Sequence, residues 1–236
     1  MEKPTFKKTI AILASIAAGV FIFVFLYDQA FPQAAINVKI SKSEAENISR
    51  EFISKHGADI GGYKTALVFN SNDDAAVYLQ KTLGLKKANE IMKNEVPVWF
   101  WSFRAFRPSQ KEEYAVSVNP TSGKLVSFDS IVEEDVAGAN LELENAIKIA
   151  EDFIVKNNAE INFSDYERVD SSSEKRKNRT DHHFEWKNAK KQIGEAEFRI
   201  SIDIQGDKVG SFASYLKVPE NFSREFEKES SVGELL

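Results

Sequence analysis

The residues with the clearest potential for chemistry stand together at Asp181, His182 and His183, in a chain of 236 residues with three histidines and no cysteine. Imidazole and carboxylate groups are common zinc ligands. The pattern around them predicts a β-strand, and neighbouring strand residues point to opposite faces, so the two rings could not easily grip one ion. Only His56 remains as a further nitrogen ligand. We therefore expect no metal site here.

Other catalytic patterns are missing from the sequence. Without cysteine there is neither a thiol nucleophile nor a disulfide, and no Gly-x-Ser-x-Gly elbow surrounds a serine. Gly57, Gly61 and Gly62 do not form a phosphate-binding fingerprint. The net charge of −5 argues against nucleic acid, and the basic run Lys175–Arg179 is interpreted as a solvated loop. We expect no catalytic residue, no cofactor and no nucleic acid partner.

One aromatic segment offers candidates for binding a peptide or another partner. The candidates are Trp99, Trp101, Arg104 and Arg107. The two tryptophans would share one face of a predicted strand, where they could pack under helices or line a ligand groove. The arginines could meet a peptide carboxylate, or they could form ion pairs with Glu112 and Glu113. The sequence leaves both alternatives open.

These candidates lie on a unit that the sequence contains twice. A helix is predicted after a cap at Ser41 or Ser43, and a second one from Leu141, because apolar residues recur at helical spacing. A β-hairpin with a Gly-containing turn follows each helix, at Tyr114–Phe128 and at Phe198–Phe212. Each copy is then a helix packed on a small antiparallel sheet, which is an α+β arrangement. The matched helix positions are Ala45 with Ala146, Ile48 with Ile149 and Phe52 with Phe153.

The domain organisation follows from these units. Residues 37–137 form the first module, with a helical insertion at 73–94 around Gly84, and residues 138–223 form the second module. Residues 1–36 are a cytoplasmic stub, a transmembrane anchor and a short linker. Residues 224–236 are expected to be a tail at which the sequence is truncated.

The predicted anchor is the uncharged stretch of residues 9–27. At about 1.5 Å per residue, a helix of this length comes close to spanning a hydrocarbon core of about 30 Å. Lys3, Lys7 and Lys8 precede it and Asp28 follows it, which predicts a cytoplasmic N-terminus and an extracytoplasmic remainder in the cell membrane. A cleaved signal peptide and a buried core helix are the alternatives.

The hairpin Tyr114–Val126 resembles that of a PepSY domain, an extracytoplasmic helix-and-sheet module. Other segments resemble the outer region of bacterial CPBP-type intramembrane metalloproteases, which are related to the CAAX prenyl endopeptidases. These segments are Glu95–Pro108, Gln110–Glu113, Asn178–Trp186 and Tyr215–Pro219. In that family, glutamates, an arginine and histidines on membrane helices hold a metal and activate water. The single membrane segment of this chain carries none of those residues.

The resemblance and the residues together predict a membrane-anchored extracytoplasmic binding or regulatory module that is not catalytic in itself. Its expected partners are the membrane, through residues 9–27, and a membrane-embedded protease domain or a peptide segment. One alternative is that the intact protein is a metal-dependent intramembrane endopeptidase. Another alternative is a structural spacer at the membrane surface.

Overall fold

The structure is a computed structural model that describes residues 6–157 and 162–233. Lys3 and residues 234–236 of the expected tail lie outside the described residues. The helices are α1 (Phe6–Ala30), α2 (Lys42–Lys55), α3 (Asp73–Leu83), α4 (Leu85–Asn94), α5 (Leu143–Asn157) and α6 (Glu220–Gly233), with 3-10 helices at Pro32–Ala35 and Phe163–Asp165. The strands are β1 (Lys64–Ser71), β2 (Trp99–Phe106), β3 (Glu113–Val118), β4 (Leu125–Ile131), β5 (Tyr166–Lys175), β6 (Thr180–Ile193), β7 (Ala196–Gln205) and β8 (Lys208–Lys217).

All eight strands belong to one antiparallel sheet with the order β1-β2-β3-β4-β8-β7-β6-β5. The first half of the chain supplies β1–β4 and the second half supplies β5–β8. The halves meet where β4 pairs with β8, and Phe128 lies opposite Phe212 in that pair. This leaves β1 and β5 at the two edges of the sheet.

Helices α2 and α5 pack on the sheet, one over each half. Helix α2 begins with a capping box in which Ser41 accepts from the backbone of Glu44 while the Glu44 side chain accepts from the backbone of Ser41. Its inner face buries Ala45 and Ile53 in one cluster with residues of α5, such as Ala146 and Ile154. Because a single hydrophobic cluster contains residues from both halves, the halves fold around a common core.

Helices α3 and α4 lie on either side of Gly84, in the segment where the sequence analysis expects two short helices. They build a second hydrophobic cluster with the β6–β7 turn and with β8. Tyr78 of α3 makes the central contact, because its hydroxyl donates to the carbonyl of Ile193 (3.1 Å) and accepts from the backbone N–H of Glu195 (2.9 Å). Gly194 has a φ of +58°, and a Cβ there would lie 2.7 Å from this hydroxyl. The insertion of the first half is thereby attached to the second half.

Helix α1 is long and apolar enough to cross a membrane from Phe6 to Tyr27, and the rest of the protein does not bury this apolar stretch. A core helix would be covered by the protein, so that alternative does not fit the structure. The rings of Phe23, Tyr27 and Phe31 lie next to one another where the span ends, with centroids 5.5 Å and 5.2 Å apart in succession. Tyrosine, as at Tyr27, is enriched at the membrane–water interface.

The predicted fold class, α+β with an N-terminal apolar helix, is confirmed. The arrangement is compatible with the PepSY-like modules that the resemblance implies. The sequence analysis did not predict β1 or β5 as strands. Helix α6 crosses the expected boundary at residue 223.

Candidate binding sites

Trp99 and Trp101 lie on the face of β2 that is turned toward the helices. Trp101 packs against the main hydrophobic cluster, and its Nε1 donates to the carbonyl oxygen of Ile40 (2.9 Å). Trp99 packs against the second cluster. Both rings contact Phe69 of β1, with centroids 6.4 Å and 5.0 Å away. The tryptophans are therefore largely part of the packing beneath the helices.

Arg104 lies on the opposite face of β2. Its side chain forms a two-point ion pair with Glu113, one bond of which measures 2.6 Å from Nη2 to Oε2. This hydrogen bonding raises the pKa of the Arg104 guanidinium. Arg107 lies beyond the end of β2, where its guanidinium stacks on the Tyr63 ring at 4.3 Å. The four candidate residues thus occupy both faces and one end of the strand, and the structure does not bring them to one pocket.

His182 is a structural residue of β6. Its side chain is buried, its Nε2 donates to the carbonyl oxygen of Leu141 (3.1 Å), and its Nδ1 pairs with the Ser173 hydroxyl (2.8 Å). Both ring nitrogens are therefore engaged in hydrogen bonds. His183 points to the other face of the strand, where Nδ1 pairs with Asp203 (2.6 Å). Among the described residues, no group of three or more His, Asp or Glu side chains could hold a metal ion.

His183 belongs to a row of polar side chains on the sheet face that is turned away from α2 and α5. The Ser211 hydroxyl donates to one oxygen of Asp203 (2.6 Å), and His183 bonds to the other oxygen (2.6 Å). A catalytic triad needs the serine on the imidazole, so that the imidazole can take its proton. Here the carboxylate stands between them, and the row cannot activate Ser211. Desolvation, together with the nearby charge of Asp203, raises the pKa of Asp129 in the same row.

A cleft of about 310 Å³ opens between the end of α2, the inter-half linker and the β7–β8 turn. Ile53, Phe128 and Ile149 form much of its apolar wall, while His56 and Arg179 are polar members of the lining. His56 Nδ1 donates to the carbonyl of Phe52 (2.7 Å), which closes the C-terminal end of α2. His56 therefore has a structural contact in the wall of the cleft.

Arg179 fixes the linker between the halves. Its side chain is almost fully buried, its Nη1 donates to the carbonyls of Val136 (2.9 Å) and Glu133 (3.3 Å), and its Nε donates to Asp181 (2.7 Å). Lys177 adds an ion pair to Asp135 at 3.0 Å. The sequence predicts a solvated loop for the basic run Lys175–Arg179. In the structure, Lys177 and Arg179 of this run bind the linker. Its partners are distant in sequence and mostly backbone carbonyls, so no local signal could have identified them.

The two edge strands differ in how they present their outer side. The edge strand β1 pairs with β2 in an unbroken register and exposes Val68 and Phe69, which are 56% and 37% accessible. Lys64 is its only charged residue. In contrast, β5 carries a bulge between Arg168 and Asp170 and has charged residues along its length. Bulges and charges protect edges against pairing with other chains, and β1 has neither along most of its length.

Comparisons with known proteins give one structural match. No protein-family model matches the chain. No curated protein matches it either. Among solved structures, the chain is similar to the Bacillus megaterium YpeB C-terminal domain, with a TM-score of 0.46 and 12% identity. The match covers 75% of this chain, and the chain spans 64% of that structure. At this level of similarity no residue role is transferred.

Proposed function

We propose that this chain is a membrane-anchored binding or regulatory module, held outside the cytoplasm by α1. The exposed apolar span and the aromatic rings at its end support the anchoring. Lys7 and Lys8, at the start of α1, support a cytoplasmic N-terminus by the positive-inside bias. In the row of His183, Asp203 and Ser211, the carboxylate separates the serine from the imidazole, and the proposal assigns binding to this region.

The two halves are, in this proposal, copies of one PepSY-like helix-and-sheet module. In each half, a phenylalanine of the helix packs against a phenylalanine of the last strand. The ring centroids of Phe52 and Phe128 are 5.0 Å apart, and those of Phe153 and Phe212 are 5.4 Å apart. The matched positions Phe128 and Phe212 also pair with each other across the sheet. These matching contacts in the two halves support the proposed duplication.

The module binds an extended polypeptide segment by adding it to β1. The observation that carries this proposal is the contrast between an apolar, regular edge at β1 and a bulged, charged edge at β5. Every second residue of an edge strand directs its backbone N–H and C=O away from the sheet, where an incoming strand can pair with them. A segment with apolar residues on both faces would match Val68 on one side and Phe69 on the other.

A pair of matched variants tests strand addition. Val68→Lys places a charge on the edge proposed to bind, and Val169→Lys places the same charge on β5, where Val169 is 40% accessible. Extended peptides selected from a displayed library would be titrated against the full chain in nanodiscs. Val68→Lys should weaken binding at least about tenfold, or about 1.4 kcal/mol, while Val169→Lys should not. Equal binding by both variants would leave the spacer alternative standing.

On the sequence resemblance alone, we propose that the module serves as the outer region of a CPBP-type intramembrane metalloprotease, fused to it or associated with it. Its role would be to restrain the protease or to present a peptide to it. Co-purification from native membranes, with Val68→Lys as the comparison, tests the association. Recovery of the module with no membrane protease at all would contradict it.

A further inference from the structure

Helix α4 lies at the outer end of the apolar span. It contacts both α1 and the 3-10 helix at Pro32–Ala35. Asn89 of α4 donates to the carbonyl oxygen of Phe31 (2.9 Å), and Ala35 is buried in one cluster with Ala88 and Met92 of the same helix. Helix α4 is therefore attached directly to the segment that leaves the membrane.

Bilayer dimensions fix the depth of this attachment. The span of 22 residues ends at Tyr27, and at about 1.5 Å per residue it is about 33 Å long, close to the thickness of a hydrocarbon core. Phe31 is four residues further along, about 6 Å beyond the core if the helical rise continues. The headgroup layer extends about 5–7 Å beyond the core on each side. The bond from Asn89 to Phe31 thus sets α4 at the level of the lipid headgroups.

The outer surface of α4 is basic in a protein whose net charge is −5. Lys86, Lys87 and Lys93 are exposed, and none of them forms an ion pair with another described residue, whereas Lys55 and Lys190 elsewhere are paired with Glu51 and Asp165. The other ionisable group on this helix is Glu90, which leaves an excess of positive charge.

A groove gives two of these lysines a shared opening. It has a volume of about 260 Å³ and is lined by Ala34 of the juxtamembrane segment and by Lys86, Asn89, Glu90, Lys93 and Asn94 of α4. Lys86 and Lys93 are seven residues apart on a helix, so they lie on the same face. A phosphate group in the groove would be within reach of both ammonium groups.

We infer that α4 binds the headgroups of anionic phospholipids through Lys86, Lys87 and Lys93. The inference rests on the proposed anchoring, because only the membrane brings headgroups to this depth. Ammonium groups at a membrane surface are attracted to anionic lipid phosphates over about one Debye length. Such binding would fix how the sheet, and with it β1, stands over the bilayer.

The test uses the full chain in nanodiscs of phosphatidylcholine with increasing phosphatidylglycerol. Since the protein has no cysteine, Asn94→Cys supplies a single labelling site at the groove for a fluorophore that is quenched by headgroup-labelled lipid. Quenching should rise with phosphatidylglycerol and fall with added salt. Replacing the three lysines of α4 by glutamine should raise the phosphatidylglycerol content needed for half-maximal quenching at least about fivefold, the effect of one lysine near an anionic surface.

The matched control replaces Lys55, Lys190 and Lys208, which lie on other elements, by glutamine and should keep the parent titration. Quenching that ignores phosphatidylglycerol, or that falls equally in both triple variants, would overturn the headgroup inference while leaving the anchoring intact. Resistance of the protein to extraction from phosphatidylcholine vesicles by alkaline carbonate reports the anchoring separately. Release by carbonate would overturn both.

Discussion

Phe128 and Phe212 lie directly opposite each other in the β4–β8 pair, where the two halves of the chain join. Both side chains are almost fully buried, at 2% and 1% accessibility. Each packs edge-on or tilted against the phenylalanine of the helix above it, and those helix residues, Phe52 and Phe153, are 6.3 Å apart. The seam between the halves is therefore an aromatic core that both of them share.

Removing an aromatic side chain from this seam should destabilise both halves together. Phe212→Ala is expected to lower the free energy of unfolding by about 3–5 kcal/mol, because it removes a buried ring and leaves a cavity. Chemical denaturation of the detergent-solubilised chain, followed by amide exchange in both halves, measures the effect. The exposed Phe69→Ala is the control and should cost much less. Separate unfolding of the two halves would contradict a shared core.

The Tyr78 hydroxyl should account for much of the attachment of α3 to the β6–β7 turn. It accepts from the backbone N–H groups of Glu195 (2.9 Å) and Ala196 (3.2 Å) and donates to Ile193 (3.1 Å). Tyr78→Phe leaves these groups without a partner in a buried place, at a cost of about 1–3 kcal/mol. Thermal unfolding of the two proteins gives the difference. A change near zero would show that water replaces the hydroxyl.

Arg179 should protect the linker between the halves from proteolysis. Arg179→Lys keeps the charge but loses the fork that reaches Glu133, Val136 and Asp181 at once. We expect faster cleavage within residues 133–138 in limited proteolysis. Arg176→Lys is the control, since the Arg176 side chain pairs with Glu174 and Asp181, which lie outside the linker. Equal cleavage rates in the two variants would contradict the clamp.

Asp129 should make the protein less stable as its carboxyl group ionises. Desolvation and the charge of Asp203 raise the pKa of Asp129 above its unfolded value of 3.8. The folded state therefore binds the proton more tightly than the unfolded state. The stability that this proton contributes is lost as the pH rises from the unfolded pKa through the higher folded pKa. Asp129→Asn should therefore raise the free energy of unfolding at pH 7. The gain should vanish below the unfolded pKa, and a gain that persists there would have another cause.

Sequence patterns predicted the elements whose signals are local. Ser41 caps α2 and Gly84 separates α3 from α4, as expected from their neighbours. Strand β1 was missed because Leu67, Val68 and Phe69 form a continuous apolar run without alternation. Strand β5 is almost wholly polar, so only its pairing with β6 defines it.

The candidate sites were less predictable, because they depend on contacts between distant residues. The carbonyls that Arg179 binds lie 46 and 43 residues away in the chain. The placement of Trp101 depends on Ile40, which is 61 residues away. The separation of Trp99 and Trp101 from Arg104 follows from strand alternation, but which face the helices cover could be seen only in the folded chain.

Amide hydrogen exchange of the full chain in nanodiscs, with and without a bound extended peptide, tests strand addition most directly. The account predicts that binding slows exchange in β1, at residues 64–71, and leaves β5, at residues 166–175, unchanged. Protection of β5 instead, or protection confined to the cleft between the halves, would contradict it.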